Sequence, residues 1–125
     1  MLSIIHKKAY QEFLNLLQEF LCQLKSSNKN IIQKSWYDLQ QFCHQKIFTL
    51  TGDDLDESII QQWRSLQTEI QREFRLLNTD MSFFAASRQT KTKEIRLKSI
   101  RDRVTRLTQF SNMAKDLIEV MGNRE

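Results

Sequence analysis

The sequence predicts an all-α protein, an antiparallel four-helix bundle in a single domain spanning 1–125. Three observations lead there. The chain has no proline in 125 residues and only two glycines, Gly52 and Gly122. A sheet protein needs turns every few residues and makes them with Gly, Asn, Asp and Pro. Leu, Gln, Glu, Lys and Arg dominate the composition, and all five are good helix formers. Apolar residues also recur at three- and four-residue spacing in four segments with short breaks between them.

The first helix is predicted over about 2–25. Ile5, Ala9, Phe13, Leu16, Leu17, Phe20, Leu21 and Leu24 form its apolar face. "SSNKN" then breaks the pattern with weak helix formers, and Asn30 with Gln33 has the form of a capping box. The second helix is predicted over about 31–50. Its stripe is Ile32, Trp36, Leu39, Cys43, Ile47 and Leu50, and Gly52 is placed to end it as a left-handed residue. Asp54 and Glu57 form the next capping box, and Asp53, Asp54, Asp56 and Glu57 suit the positive end of a new helix.

The third helix has the cleanest period and is predicted over about 54–88. Ile59, Trp63, Leu66, Ile70, Phe74, Leu77, Met81 and Phe84 pass unbroken through the weak "NTD" at Asn78–Asp80. One continuous helix with a kink allowed at Asn78 is the first reading. Its rival breaks there and makes the last helix very long. The fourth helix, about 93–121, carries Leu97, Ile100, Val104, Leu107, Phe110, Ala114, Leu117 and Met121, with Gly122 as its stop. The turn before it falls near Gln89 to Lys93, and Thr90 and Thr92 are the candidate caps. At 1.5 Å per residue the third helix is ~50 Å long against ~30 Å for the second. The third and fourth helices should therefore overhang as a two-helix arm, or pack on another copy, and Phe83 and Phe84 near that tip suit burial in a homodimer or against a partner, or cap the core.

The chemistry-bearing residues are few. Cys22 and Cys43 fall ~12 Å apart along a hairpin, too far for a disulfide. No CxxC, HExxH or ExxH spacing offers metal ligands. Buried cysteines and surface histidines are expected, and Trp36 and Trp63 read as core. "GDDLDE" lacks the alternating acceptors and central glycine of a calcium loop, and two distant glycines make no phosphate cradle. The reading is a non-enzymatic protein with no catalytic residues, no metal and no cofactor. No stretch approaches ~18 uninterrupted apolar residues, so no transmembrane segment is expected. The amino terminus lacks the order of a signal peptide. A cytoplasmic setting follows, and two cysteines fit it.

Charge is the informative feature. Arg88, Lys91, Lys93, Arg96, Lys98, Arg101, Arg103 and Arg106 lie in one segment, opposed only by Glu94 and Asp102. That segment is +6 within a chain of +4, so the rest sums to −2. The cluster reads either as a solvated face or as a partner-binding surface for an anionic partner. Nucleic acid would be held through phosphate alone, and no helix-turn-helix or interleaved aromatics support it. A membrane-surface helix wants apolar residues that the core does not claim, and here the bundle claims them. An acidic protein surface fits best.

"DLDESIIQQWRSLQTEIQREFRLLNTDMSFFAASRQTKTKEIR" resembles the cyanobacterial heterocyst frequency control protein PatD family. The shared cues are an acidic "LD" helix start, "W" then "QTE", "RLLNTD", an aromatic pair and "AASRQ". The resemblance covers about Tyr10 to Leu107 and is most specific from Leu55 to Gln89. The resemblance implies a small regulator of heterocyst differentiation and cell division. It also implies binding to FtsZ, the tubulin-like division protein, with an effect on FtsZ assembly. It transfers no residue-level site. The alternative, from another class, is a nucleic-acid-associated helical regulator that binds phosphates through 88–106.

Overall fold

The computed structural model describes residues 2–26, 28–53 and 55–124, with side chains over 4–120 among them. The fold is a helical bundle: α1 (Leu2–Gln23), α2 (Lys29–Phe42), a π-helical turn (Cys43–Ile47), α3 (Glu57–Ala86) and α4 (Thr90–Arg124). There is no strand among the described residues. Cross-helix pairs give the directions. Lys7 meets Glu119 at 3.5 Å, Gln40 meets Asn78 at 3.2 Å, and Asp80 meets Ser99 at 2.8 Å. Phe13 faces Phe42 while Phe20 faces Trp36, Lys29 meets Ser87 at the far end of α3 from the Gln40 contact, and Arg103 meets Glu73, so successive helices run antiparallel. α4 packs along both α3 and α1, and α1 along α2. Aromatic rings close the remaining seam, with Trp36 stacked on Phe74 at 5.1 Å between centroids.

Local chemistry moved several expected boundaries. Asn28, not Asn30, caps α2, its side chain accepting from the Asn30 N–H. Asp56 caps α3 by accepting from the Ser58 N–H at 3.0 Å; the expected cap at Asp54 lies outside the described residues. Thr90 is the first helical residue of α4 rather than its cap, and the turn is Ser87–Gln89. α3 passes Asn78 as one continuous helix. Gly122 does not stop α4, which runs on to Arg124; the Met121 side chain lies outside those described.

Gly52 is needed for a different reason than expected. No glycine among the described residues has positive φ, so Gly52 is not a left-handed stop. It is buried in the loop after the π turn. A Cβ there would sit 3.0 Å from Ile60 Cδ1 and 3.3 Å from Trp63 Cζ3. The loop must press this closely because it covers the first turns of α3, and Leu55 is buried there too. The covering loop absorbs the length mismatch between α2 and α3. At the other end, Lys29 Nζ donates to the Ser87 carbonyl at 2.9 Å and lies 5.4 Å from the Phe84 ring centroid. The α1–α2 turn thus reaches the α3–α4 tip, and the expected overhanging arm is absent.

The core runs the full bundle. Tyr10, Phe13, Leu17 and Phe20 of α1, Ile32 and Leu39 of α2, Ile70 and Leu77 of α3, and Ile100, Val104, Leu107, Ala114 and Ile118 of α4 are all buried. On α4 the buried line is 100, 104, 107, 111, 114 and 118, alternating steps of four and three as in a left-handed supercoil.

Candidate interaction surface

The basic segment begins at Arg88 in the α3–α4 turn and continues through the first half of α4. Its apolar line faces α1 and α3, which fixes where each cation points. Arg88, Lys91, Lys98, Arg101 and Arg106 are exposed, and Lys93, Arg96 and Arg103 are half-buried. Arg88 lies in the turn before α4, and Arg106 stands about four and a half helical turns into α4. Lys91 and Lys98, two turns apart, form a line, with Arg101 further round the outward face.

Two of the eight expected site residues are drawn away from that face. Arg103 turns toward α3, where its Nη1 is 3.1 Å from Glu73 Oε2 and its Nε 3.6 Å from Asp80 Oδ2. Both carboxylates are buried, and Ser99 Oγ donates to Asp80 at 2.8 Å. Arg103 is thus committed to holding the α3–α4 hairpin. Arg96 lies over the Phe83 ring at 4.5 Å from its centroid, a cation–π contact. Among the described residues the other six cations form no ion pair. They spread from the α3–α4 turn to the middle of α4, with the exposed Glu94 and Asp102 among them.

The remaining polar groups serve the fold. Cys22 is exposed, against expectation, while Cys43 is buried; both are free thiols. Burial pushes the Cys43 thiol far above its ordinary range, so it is not a nucleophile near neutral pH. His6 is buried rather than on the surface. Its Nε2 lies 2.8 Å from the Thr51 carbonyl, and its ring meets Trp63 edge-on. His44 is exposed and packs edge-on against Phe48 and Phe74. Trp36 and Trp63 are core residues. No three His, Cys, Asp or Glu side chains among the described residues gather into a metal cage. No helix is long and apolar enough to cross a membrane among those residues.

The sequence reading missed Glu73, Asp80 and Gln67. They stand at three- and four-residue spacing from Ile70, Phe74 and Leu77, on the flanks of the apolar stripe. That spacing was the available signal. It also missed the π turn, for which the residue types at Cys43–Ile47 give no cue. Set against protein-family models, curated proteins and solved structures, the chain gives no match.

Proposed function

We propose that this chain is a non-enzymatic helical regulator of cell division and heterocyst differentiation that docks on FtsZ and modulates its assembly. The partner comes from the PatD-like residues between Leu55 and Gln89. The observation that carries a docking role is the outward surface of the α3–α4 turn and α4, where six cations lack a carboxylate partner among the described residues. A surface of one sign speeds and orients the encounter with an acidic partner more than it adds affinity. The working residues are then Arg88, Lys91, Lys98, Arg101 and Arg106, with Lys93 at the edge. Arg103 supports the face from beneath.

Co-sedimentation with FtsZ and GTP tests this reading. The parent chain should pellet with filaments or change their amount. Arg101→Glu with Arg106→Glu should abolish the effect and leave the helical circular dichroism unchanged. Equal behaviour of parent and variant would remove the charged face from the mechanism. Binding to duplex DNA without any effect on FtsZ would transfer the face to phosphate recognition, with a steep salt dependence.

A further inference from the structure

One end of the bundle differs in charge from the rest of the molecule. It is built from residues 20–34, which close α1 and open α2, and residues 81–98, which close α3 and open α4. These stretches hold eight cations and a single carboxylate, Glu94. The remainder of the chain holds eleven cations against fourteen carboxylates. The Lys29 hydrogen bond to Ser87 brings the two stretches together, so the charge gathers at one pole of the long axis.

This pole also exposes apolar side chains that the core does not take. Phe83 is 50% exposed and Ile95 is 60% exposed. Phe83 stands three residues before the end of α3 and Ile95 five residues after the start of α4. At 1.5 Å per residue they are ~5 and ~8 Å from the tip.

The cations sit where helix stability disfavours them. Lys91 and Lys93 lie in the first turn of α4, which has no acidic residue, and Arg88 lies just before it. Positive charge at a helix N-terminus opposes the macrodipole. An external anion would relieve both the cations and the helix end.

We propose that this pole is a docking surface for an anionic lipid bilayer. Phe83 and Ile95 contact the headgroup region, and Arg88, Lys91 and Lys93 meet the phosphates. Lys25, Lys29 and Lys34 stand on the α1–α2 side of the same pole, so its cations come from two stretches that Lys29 joins at Ser87. A plane of fixed anions engages them together, whereas one acidic peptide strand reaches only some. Each lysine or arginine near such a plane adds appreciably to binding, and the apolar pair supplies the second signal that stable attachment needs.

The test is sedimentation with two kinds of vesicle, phosphatidylglycerol mixed with phosphatidylcholine and phosphatidylcholine alone. The parent chain should pellet with the first only, and less so as salt rises. Lys91→Glu with Lys93→Glu should weaken this at least about 100-fold. That variant should melt at or above the parent's temperature, because carboxylates suit a helix N-terminus; loss of binding then cannot be loss of fold. Phe83→Ser with Ile95→Ser should weaken binding without changing its salt dependence. Arg101→Glu with Arg106→Glu, further down α4, should leave vesicle binding in place, since charges beyond a screening length of about 8 Å contribute little. The filament assay and the vesicle assay can therefore fail independently. Pelleting with both vesicle types, with neither, or undiminished in the Lys91/Lys93 variant would overturn the proposal. Binding to polyglutamate but not to vesicles would reassign the pole to an acidic protein.

Discussion

Tyr10 and Arg103 each anchor a buried polar network, one neutral and one charged. In the first, Trp63 Nε1 donates to Tyr10 Oη at 2.8 Å, Tyr10 donates to Gln67 Oε1 at 2.7 Å, and Gln67 Nε2 donates to the Ile47 carbonyl at 3.1 Å. The chain of bonds has one direction and ties α3 to α1 and to the π turn. In the second, Arg103 holds Glu73 and Asp80, and Ser99 adds a donor. Position explains the difference. Tyr10 is fully buried, where an unpaired charge would be very costly. Arg103 keeps about a quarter of its side chain exposed (25%), so its charge is only partly desolvated. The neutral network is complete within the core. The charged one sits at the α3–α4 seam, where it fixes which faces meet.

Breaking the charged network should have the largest effect. Arg103→Met leaves two buried carboxylates without a cation. Removing one partner of a buried ionic group costs about 3–5 kcal/mol, and urea unfolding should show a loss near the lower end because Arg103 is partly wet. Replacing Arg103, Glu73 and Asp80 together by Met, Leu and Leu should recover most of it, since an apolar set of similar volume is often neutral or stabilising. A triple variant as weak as the single one would mean that the seam depends on packing by Arg103 rather than on charge.

Breaking the neutral network comes next. Tyr10→Phe removes the shared hydroxyl and orphans Trp63 Nε1 and Gln67 Oε1 in the core. Each buried unsatisfied group costs about 1–3 kcal/mol, so a loss of about 2–3 kcal/mol is expected by urea unfolding. A loss below about 0.5 kcal/mol would show that the chain of hydrogen bonds is not closed as described.

Tyr10 of this network and the buried Cys43 set an alkaline limit. Burial raises the Tyr10 hydroxyl and the Cys43 thiol far above their ordinary values of 10.0 and 9.0. Above pH 9 to 10 the unfolded chain releases these protons and the folded chain retains them. The folded state then binds more protons, so stability falls as pH rises, by up to about 1.4 kcal/mol per pH unit for each group. Cys43→Ala should halve the steepest slope above pH 10, at some cost in core packing. An unchanged slope would place the alkaline response elsewhere.

These networks also explain what the sequence could reveal. The four helices were legible because their apolar periods are long and breakers are few. The register of the core was not legible wherever a polar residue holds a core position. On α1 the apolar face was read through Ile5, which is exposed (59%), because His6 and Tyr10 occupy the true line. On α4 it was read through Phe110 and Leu117, because Ser111 interrupts the line that continues to Ile118. Glu73, Asp80 and Gln67 were hidden in the same way. Polarity assigns such residues to water, and only partners supplied by another helix overrule it. For the same reason Arg103 looked like one cation among eight. Its carboxylates lie 23 and 30 residues earlier in the chain, and no local pattern connects them.

Ser99 and Ser111 give the smallest test, and their effects should have opposite signs. Both lie on α4. Ser99 belongs to the charged network and donates to Asp80. Ser111 belongs to neither network. It is fully buried, and its hydroxyl has no hydrogen-bond partner among the described residues. Ser99→Ala should cost about 1–2 kcal/mol, the worth of a hydrogen bond to a charged group. Ser111→Ala removes an unsatisfied hydroxyl and improves helix propensity. It should stabilise by about 1 kcal/mol, raising the melting temperature by roughly 3–6 °C. Melting both single variants beside the parent decides the matter. If Ser111→Ala also destabilises, that hydroxyl has a partner in solution, and the helix line that appears broken at 111 holds a third polar link.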